Sequence, residues 1–371
     1  MQRLWQVKQK ISEDFINKFP EFDSVILQLL FNRGIDNQKK IDEFFNPDYS
    51  KNLFDPFLLK DMDRAVERIF KALKNKERVG IFGDYDADGV TSSVLLTELF
   101  KKIGLAGQVY IPDRVSEGYG MNKKAIDWLA KKDIKLIVSC DCGVSNKEEI
   151  DYAKEKYGID CVITDHHHVP IDFDKKYIVV DSKRKGDKYP YKELAGVGVV
   201  FKLAQALITR INFRIKANEF SNVKLENGWE KSLLDLVTIG TIADCSPIIS
   251  ENRTLVKYGL NIIKETERIG LQSLMQVACV DPKLINSDRI GFAIAPRINS
   301  AGRMDHASAS YKLLITEDLE KAVWLSKKID KTNSSRQSLT SKLVDEAKKK
   351  IGDVKDQKVL MASGGNGLWA L

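Results

Sequence analysis

The feature that most constrains this chain is a set of short apolar runs, each followed at once by an aspartate. Three such runs are Arg78–Gly83, Lys135–Cys140 and Cys161–Thr164. Stretches with helical periodicity separate them, and this alternation is typical of consecutive βα units. The sequence therefore predicts an α/β fold with a doubly wound, mostly parallel sheet.

Side chains that can bind a cation follow each of these runs. Because open parallel sheets bind ligands beyond the carboxyl ends of their strands, we expect Asp86, Asp141 and His166 to lie close together. Carboxylate and imidazole ligands in this mixture suit manganese, magnesium or zinc. The alternative is that each aspartate only caps the helix that follows it.

A further acidic candidate is Asp244, which ends the apolar segment Leu236–Ala243 just before a proline-marked turn. A carboxylate beside so apolar a segment is unfavourable unless it has a partner, and a metal ion would be one. The segment that ends in Asp244 is therefore predicted to be the fourth that carries a metal ligand.

The segment Ala295–Met304 combines two arginines with small and polar residues. We expect it to form a turn in which Arg297 and Arg303 bind phosphate while the backbone approaches closely at Gly302. The alternative is a surface loop with incidental arginines.

The charge balance permits a polyanionic partner without identifying one. The formal net charge is +7 and the sequence pI is about 8.9. Most basic clusters are expected to be solvated surface. Lys183 and Arg184 differ, because they follow a fourth strand end, Tyr177–Asp181.

The expected compartment is the cytoplasm, and no membrane contact is expected. The amino terminus has no apolar core like that of a signal peptide, and no later segment offers about 18 uninterrupted apolar residues. The five scattered cysteines fit reduced thiols.

The predicted organisation has five parts. They are an N-terminal helical lead (1–60), the catalytic α/β domain (61–250), a helical continuation of that core (251–316), a long connector helix (317–352) and the start of an incomplete second domain (353–371).

The predicted chemistry is hydrolysis of a phosphate ester or anhydride. Clustered carboxylates with histidine can hold two divalent cations about 3.5–4 Å apart, which suits in-line displacement at phosphorus. The segment Gly83–Gly89 lacks the Lys-Ser/Thr ending of a Walker loop, and neither a Ser-His-Asp nor a Cys-His signature favours acyl transfer.

Four motifs resemble those of the DHH phosphoesterase superfamily. They are DYDADG at 84–89, the segment at 141–143, DHH at 165–167 and GTIAD ending at Asp244. Within that superfamily, three stretches resemble the RecJ single-stranded-DNA exonucleases: 189–207, 243–260 and RINSAGRM at 297–304.

The resemblance implies an enzyme with two Mn²⁺ or Mg²⁺ ions that degrades single-stranded DNA from the 5′ end in recombination and repair. Helicases and single-strand-binding protein are candidate partners. It implies that Asp86 and Asp88 bind separate metals, that Asp141 bridges them, and that His166 and Asp244 complete the second site. It also implies that Asp84 is a metal ligand or lies beside one, and that His167 contacts the scissile phosphate or orients a water molecule. Binding of DNA phosphates is implied for Arg303, Asn299 and Ser300. No role is implied for His168 and His306.

Two departures from the family pattern stand out. Asp181 and Ser182 occupy the position where the family more usually has Asn-Pro. The family also continues into a second globular domain, DHHA1, within which this sequence is expected to stop. Rival interpretations are an oligoribonuclease or cyclic-dinucleotide phosphodiesterase of the same superfamily, a more distant pyrophosphatase, and a non-catalytic DNA-binding or replication scaffold.

Overall fold

The computed structural model describes residues 6–170, 176–216, 225–352 and 360–362. The predicted start of a second domain at 353–371 thus lies outside the described residues, apart from 360–362. The strands are β1 (Arg78–Gly83), β2 (Gly107–Tyr110), β3 (Ile134–Cys140), β4 (Asp160–Thr164) and β5 (Ile178–Val180). The helices are α1 (Glu13–Lys18), α2 (Ser24–Phe31), α3 (Gln38–Phe45), α4 (Met62–Lys74), α5 (Ala87–Ile103), α6 (Lys123–Ala130), α7 (Lys147–Tyr157), α8 (Gly196–Lys216), α9 (Leu234–Ala243), α10 (Ser250–Lys264), α11 (Ile269–Val277), α12 (Ser287–Arg289), α13 (Ala295–Met304), α14 (Ser308–Ile315) and α15 (Leu319–Ile351).

The five strands form one parallel sheet in the order β2-β1-β3-β4-β5. One face packs against α4, α5 and α8, and the other packs against α6 and α7. The predicted doubly wound α/β fold is confirmed. Its strand order reverses between β1 and β3, which is where folds of this type bind ligands.

Local signals explain where the main helices begin and end. The Asp86 side chain caps α5 by accepting hydrogen bonds from the backbone N–H groups of Asp88 and Gly89. Gly104 ends the same helix in the left-handed conformation (φ 82°), which glycine adopts without strain. The sequence of α5 therefore fixes where this helix begins and ends.

The N-terminal helices α1–α3 have a small hydrophobic core of their own, formed by Ile11, Phe19, Leu27, Leu30, Ile35 and Ile41. They dock onto α10 through polar contacts at the end of α3. Arg253 donates to the Phe44 carbonyl, and the Lys257 ammonium donates to the Phe45 carbonyl at 3.1 Å. Cations at a helix carboxyl end are favourable, because free carbonyls and the helix dipole meet there.

A fully buried ion pair joins Lys202 of α8 to Glu251 of α10. Lys202 donates to the Phe54 carbonyl (2.8 Å), and Glu251 accepts from the Phe54 N–H (3.1 Å) and the Tyr189 hydroxyl. The pair therefore holds the loop that precedes α4 against the core.

The prediction of a turn at Ala295–Met304 is wrong, because this segment is helix α13, preceded by a π-helical turn at Ile290–Ile294. Pro296 lies in the first turn of the helix, where a missing N–H is tolerated. Gly302 serves close packing instead of turn formation: a Cβ there would lie 2.4 Å from the Tyr85 carbonyl oxygen.

The second half of the described chain is helical, and α15 is its longest helix at 33 residues. Buried residues such as Ala322, Leu325 and Ile329 line its inner face. Among the described helices, none combines the length and apolar character needed to cross a membrane.

Candidate metal centre

The sheet brings the predicted ligands to one place. The carboxyl ends of β1, β3 and β4 are adjacent, and the residues that follow these strands are Asp84, Asp141 and Asp165. The end of α9 adds Asp244 from outside the sheet. Topology therefore assembles side chains that are far apart in sequence.

Distances confirm that these side chains form a single cluster. The His166 Nε2 atom lies 3.1 Å from Asp141 Oδ1 and 3.9 Å from Asp88 Oδ2, and His166 Nδ1 lies 3.9 Å from Asp244 Oδ2. Three groups have ligand atoms that all lie within 4.8 Å of one another: Asp84 with Asp86 and Asp141; Asp88 with His166 and Asp244; and Asp141 with His166 and His167.

The capping interpretation and the metal interpretation apply together at Asp86 and Asp88. Asp86 caps α5 and still belongs to the cluster. The Asp88 carboxylate accepts from the backbone N–H groups of Gly196 (2.7 Å) and Val197 (2.9 Å) at the start of α8. These bonds fix the direction of the carboxylates before any ligand binds.

Two glycines leave room for this arrangement. A Cβ on Gly196 would lie 2.6 Å from Asp141 Oδ1, and a Cβ on Gly240 would lie 2.7 Å from Asp88 Oδ1. Asp141 itself has φ 62°, a left-handed conformation that is strained for most residues with a side chain. The close approach of α8 and α9 to the carboxylates is thus built into the backbone.

The carboxylates are incompletely paired within the described chain. Asp84 Oδ1 and Asp141 Oδ1 are buried and have no hydrogen-bond partner there. Burial and the nearby charge of Asp86 raise the pKa of Asp84 to about 7. Burial and neighbouring carboxylates also raise the pKa values of Asp88 and Asp141. Cations would remove this penalty, so the residues present fit divalent metals with oxygen and imidazole ligands.

His167 is oriented by Asp165, a buried residue to which the sequence analysis gave no role. Asp165 Oδ1 lies 2.8 Å from His167 Nδ1 and accepts from the His166 N–H (2.8 Å), while Oδ2 accepts from the Val144 N–H (3.1 Å). Burial acts to raise the pKa of Asp165, but these donors and His167 hold it below its usual value. The hydrogen bond to Asp165 raises the pKa of His167.

Tyr119 is a second residue that the sequence analysis missed. Its hydroxyl lies 3.1 Å from both the Asp141 carbonyl oxygen and His167 Nδ1. Gly118 and Gly120 flank it with positive φ angles, and this Gly-Tyr-Gly pattern was the available signal in the sequence.

Three guanidinium groups lie beside the β1 end of the cluster. Arg114 stacks over the Tyr85 ring at 5.0 Å. Burial, and then repulsion from Arg114 and Arg336, lower the pKa of Arg303. Like charges held together in this way favour an anion between them. Sequence analysis identified Arg303 only, because Arg114 and Arg336 lie in unrelated segments.

The other predicted phosphate contacts brace the fold. The Asn299 side chain accepts from the Ala87 N–H at 2.7 Å, which ties α13 to the start of α5. Arg297 pairs with Asp330 at 2.8 Å, and the fully buried Ser300 hydroxyl donates to the Arg297 carbonyl. These contacts show what Arg297 and Ser300 bind within the chain, and their role in binding phosphate stays a prediction. His306 accepts from the Ser308 N–H, and His168 is exposed.

A parallel sheet with such a cluster at its reversal point defines an α/β protein equipped for two-metal phosphoester chemistry. Residues 78–241 match the DHH family, N-terminal domain. The single-stranded-DNA-specific exonuclease RecJ of Bacillus subtilis is 36% identical over 346 residues, which are 92% of this chain and 41% of that protein.

Solved structures agree with this match. A structure of exonuclease RecJ bound to manganese is 30% identical, with a TM-score of 0.68, and the match covers 78% of this chain and 69% of that one. RecJ of Thermus thermophilus in complex with Mn²⁺ is 26% identical, with a TM-score of 0.72, over 90% of this chain and 45% of that one. The chain belongs to the DHH family, among the RecJ-type proteins. It spans about half the length of the curated relatives it matches.

Proposed function

We propose that this chain hydrolyses phosphodiester bonds of single-stranded DNA, as an exonuclease that acts from the 5′ end in recombination and repair. The observation that carries the proposal is the overlap of three candidate ligand groups on Asp141 and His166. The manganese-bound RecJ structure and the RecJ relatives support the same interpretation. Single-stranded DNA as substrate is supported by the names of these relatives, whereas the 5′ polarity rests on the resemblance of the motifs alone.

We assign two cation positions, for Mn²⁺ or Mg²⁺. Asp84, Asp86 and Asp141 hold one ion, while Asp88, His166 and Asp244 hold the other, and Asp141 lies between them. When bound, the two ions supply stabilisation of the charge that develops on the phosphate and lower the pKa of the attacking water.

His167 has the geometry of a phosphate-positioning group. Asp165 engages Nδ1, which leaves Nε2 free to face the cluster. The hydrogen bond to Asp165 raises the pKa of His167 and so favours the protonated imidazole, in which Nε2 is a donor suited to an oxygen of the scissile phosphate. Tyr119 keeps the His167 ring beside Asp141.

Arg114, Arg303 and Arg336 bind phosphate groups at the β1 end of the cluster. Guanidinium groups suit this role because they remain charged and donate two parallel hydrogen bonds. Asn299 and Arg297 hold α13 so that Arg303 reaches this surface.

The cellular setting of the reaction is part of the proposal. We place it in the cytoplasm, with a helicase that exposes single strands and a single-strand-binding protein that covers them as candidate partners. Co-purification of either protein with this chain, with and without DNA, tests the association.

The activity is tested with purified protein and Mn²⁺ or Mg²⁺ on a substrate panel. The panel contains 5′-phosphorylated single-stranded DNA, duplex DNA, short RNA, cyclic dinucleotides and pyrophosphate. We expect release of mononucleotides from single-stranded DNA, and its loss with EDTA. Preferred cleavage of short RNA, dinucleotides or pyrophosphate would contradict the proposal, as would DNA binding without metal and without hydrolysis.

A further inference from the structure

The turn after β5 carries a lysine whose backbone is fixed. The Asp181 side chain accepts from the Lys183 N–H at 2.7 Å. The next residue, Arg184, is buried, pairs with Asp61 and donates to the Val179 carbonyl at 3.0 Å. These contacts hold Lys183 at the carboxyl edge of the sheet, next to the end of β4 that carries His166.

The Lys183 side chain is half-buried, and in the described part of the chain its ammonium has no hydrogen-bond or ion-pair partner. Nearby cations differ: Lys192 pairs with Asp187 at 2.8 Å, and Lys185 is exposed. A half-buried, unpaired lysine beside the cluster is suited to an incoming anion.

Lys183 and the three guanidinium groups lie at opposite ends of the cluster. Arg114 and Arg303 lie at the end of β1, beside Tyr85 and Asp86. In the sheet order, β3 and β4 separate β1 from β5. Three strand steps of about 4.8 Å give a separation of about 14 Å, so one phosphate group cannot contact both ends.

The two ends of the metal cluster differ in the number of positive side chains, just as the terminal and internal phosphates of a DNA strand differ in negative charge. A terminal phosphate monoester carries a charge of about −1.5 to −2 and three acceptor oxygens, which suits several guanidinium groups. An internal phosphodiester carries a single negative charge, which suits a single lysine. We propose that Lys183 binds the backbone phosphodiester on the 3′ side of the scissile bond, in the part of the strand that stays bound after cleavage.

This inference rests on the proposed exonuclease activity, and Lys183→Ala tests it against the matched control Lys185→Ala. We expect Lys183→Ala to raise KM for single-stranded DNA about tenfold, with kcat within about twofold of wild type, because a positioning contact is lost. The slope of log KM against log salt should fall by about 0.7, the value for one phosphate contact on a single strand. Lys185→Ala should change neither quantity, and Lys183→Arg should retain most of the affinity.

A neutral methylphosphonate placed at single positions of the substrate locates the contact. Wild type should lose affinity when the linkage immediately 3′ of the scissile bond is neutral, whereas Lys183→Ala should show no further loss there. Equal sensitivity of both proteins at that linkage, or equal KM values for Lys183→Ala and Lys185→Ala, would overturn the inference. A wild type that does not cleave single-stranded DNA would instead refute the proposed function.

Discussion

The metal cluster and the Lys202–Glu251 pair bury charge in opposite ways. Lys202 and Glu251 are fully buried, yet each finds an oppositely charged partner and further hydrogen bonds within the protein. In the metal cluster, Asp84 and Asp141 each keep a buried oxygen that accepts no hydrogen bond within the described chain, although His166 Nε2 lies 3.1 Å from that of Asp141. The first group is complete as the protein folds, whereas the second requires a ligand. Several neighbouring carboxylates with unfinished pairing, more than burial of charge, therefore distinguish the metal cluster from the ion pair.

The largest expected effect follows from removing the shared charge of the metal cluster. Asp141→Asn should lower exonuclease turnover by about a thousandfold or more, because Asp141 lies between both cation positions. Asparagine tolerates the left-handed backbone at this position. The metal-free variant should be at least as stable as wild type, since repulsion with Asp88 is relieved.

Thermal unfolding with EDTA and with Mn²⁺ checks this expectation. Each site filled by Mn²⁺ at about 100 times its Kd should stabilise wild type by about 2.7 kcal/mol, and Asp141→Asn should gain less than wild type. Asp345→Asn, which changes an exposed carboxylate of α15, is the control. Near-normal turnover of Asp141→Asn would show that the metal cluster does not need its shared carboxylate, and so does not differ from the Lys202–Glu251 pair in requiring a ligand.

The next largest effect concerns the Lys202–Glu251 pair, whose charges are already paired within the protein. Glu251→Ala should lower the free energy of unfolding by about 3–5 kcal/mol, because it leaves Lys202 buried without a counter-charge. Denaturant unfolding measures the loss. The double variant Lys202→Met/Glu251→Leu should regain only part of it, since apolar side chains replace the charges but leave the Phe54 backbone and the Tyr189 hydroxyl without these partners. A loss well under 1 kcal/mol would show that the pair does not support the fold in this way.

The smallest effect concerns Asp181, a buried carboxylate outside the assigned ligands. One of its oxygens has no partner among the described residues, and burial raises its pKa from 3.8 to about 8. Because the folded protein binds this proton more tightly than the unfolded chain, the penalty appears above pH 3.8 and grows until about pH 8. The stability of Asp181→Asn relative to wild type should therefore rise with pH between about pH 5 and about pH 8, by up to about 1.4 kcal/mol per pH unit.

Melting curves across that pH range test the prediction, with Asp345→Asn again as the control. The variant also restores the asparagine that the DHH-type pattern leads one to expect at this position. A constant difference between Asp181→Asn and wild type at all pH values would mean that Asp181 is ionised in the folded protein.

Sequence reasoning worked where one short segment carries the whole signal. The apolar runs predicted the strands, and the aspartates and histidines that follow them predicted which side chains would meet, since strand ends of a parallel sheet share an edge. It failed at α13, where Asn299, Ser300 and Gly302 look like turn residues but serve close helix packing. Only the three-dimensional neighbours distinguish these two uses of small residues.

Residues that act through other residues could also not be predicted from the sequence. Asp165 belongs to a recognised motif, but its role depends on a hydrogen bond to His167 that spacing alone does not specify. Arg114 and Arg336 acquire their role only because separate segments bring them to Arg303. Such roles depend on contacts between segments that are distant in sequence, and no local pattern in a single sequence reveals those contacts.

The glycines at 196 and 240 have a consequence for how this protein tolerates mutation. A methyl group at either position would collide with the carboxylate of Asp141 or Asp88, although neither glycine has a functional group of its own. Substitution scans that replace only chemically active side chains would overlook both positions. The protein is therefore also sensitive to substitutions that only add atoms beside the metal cluster.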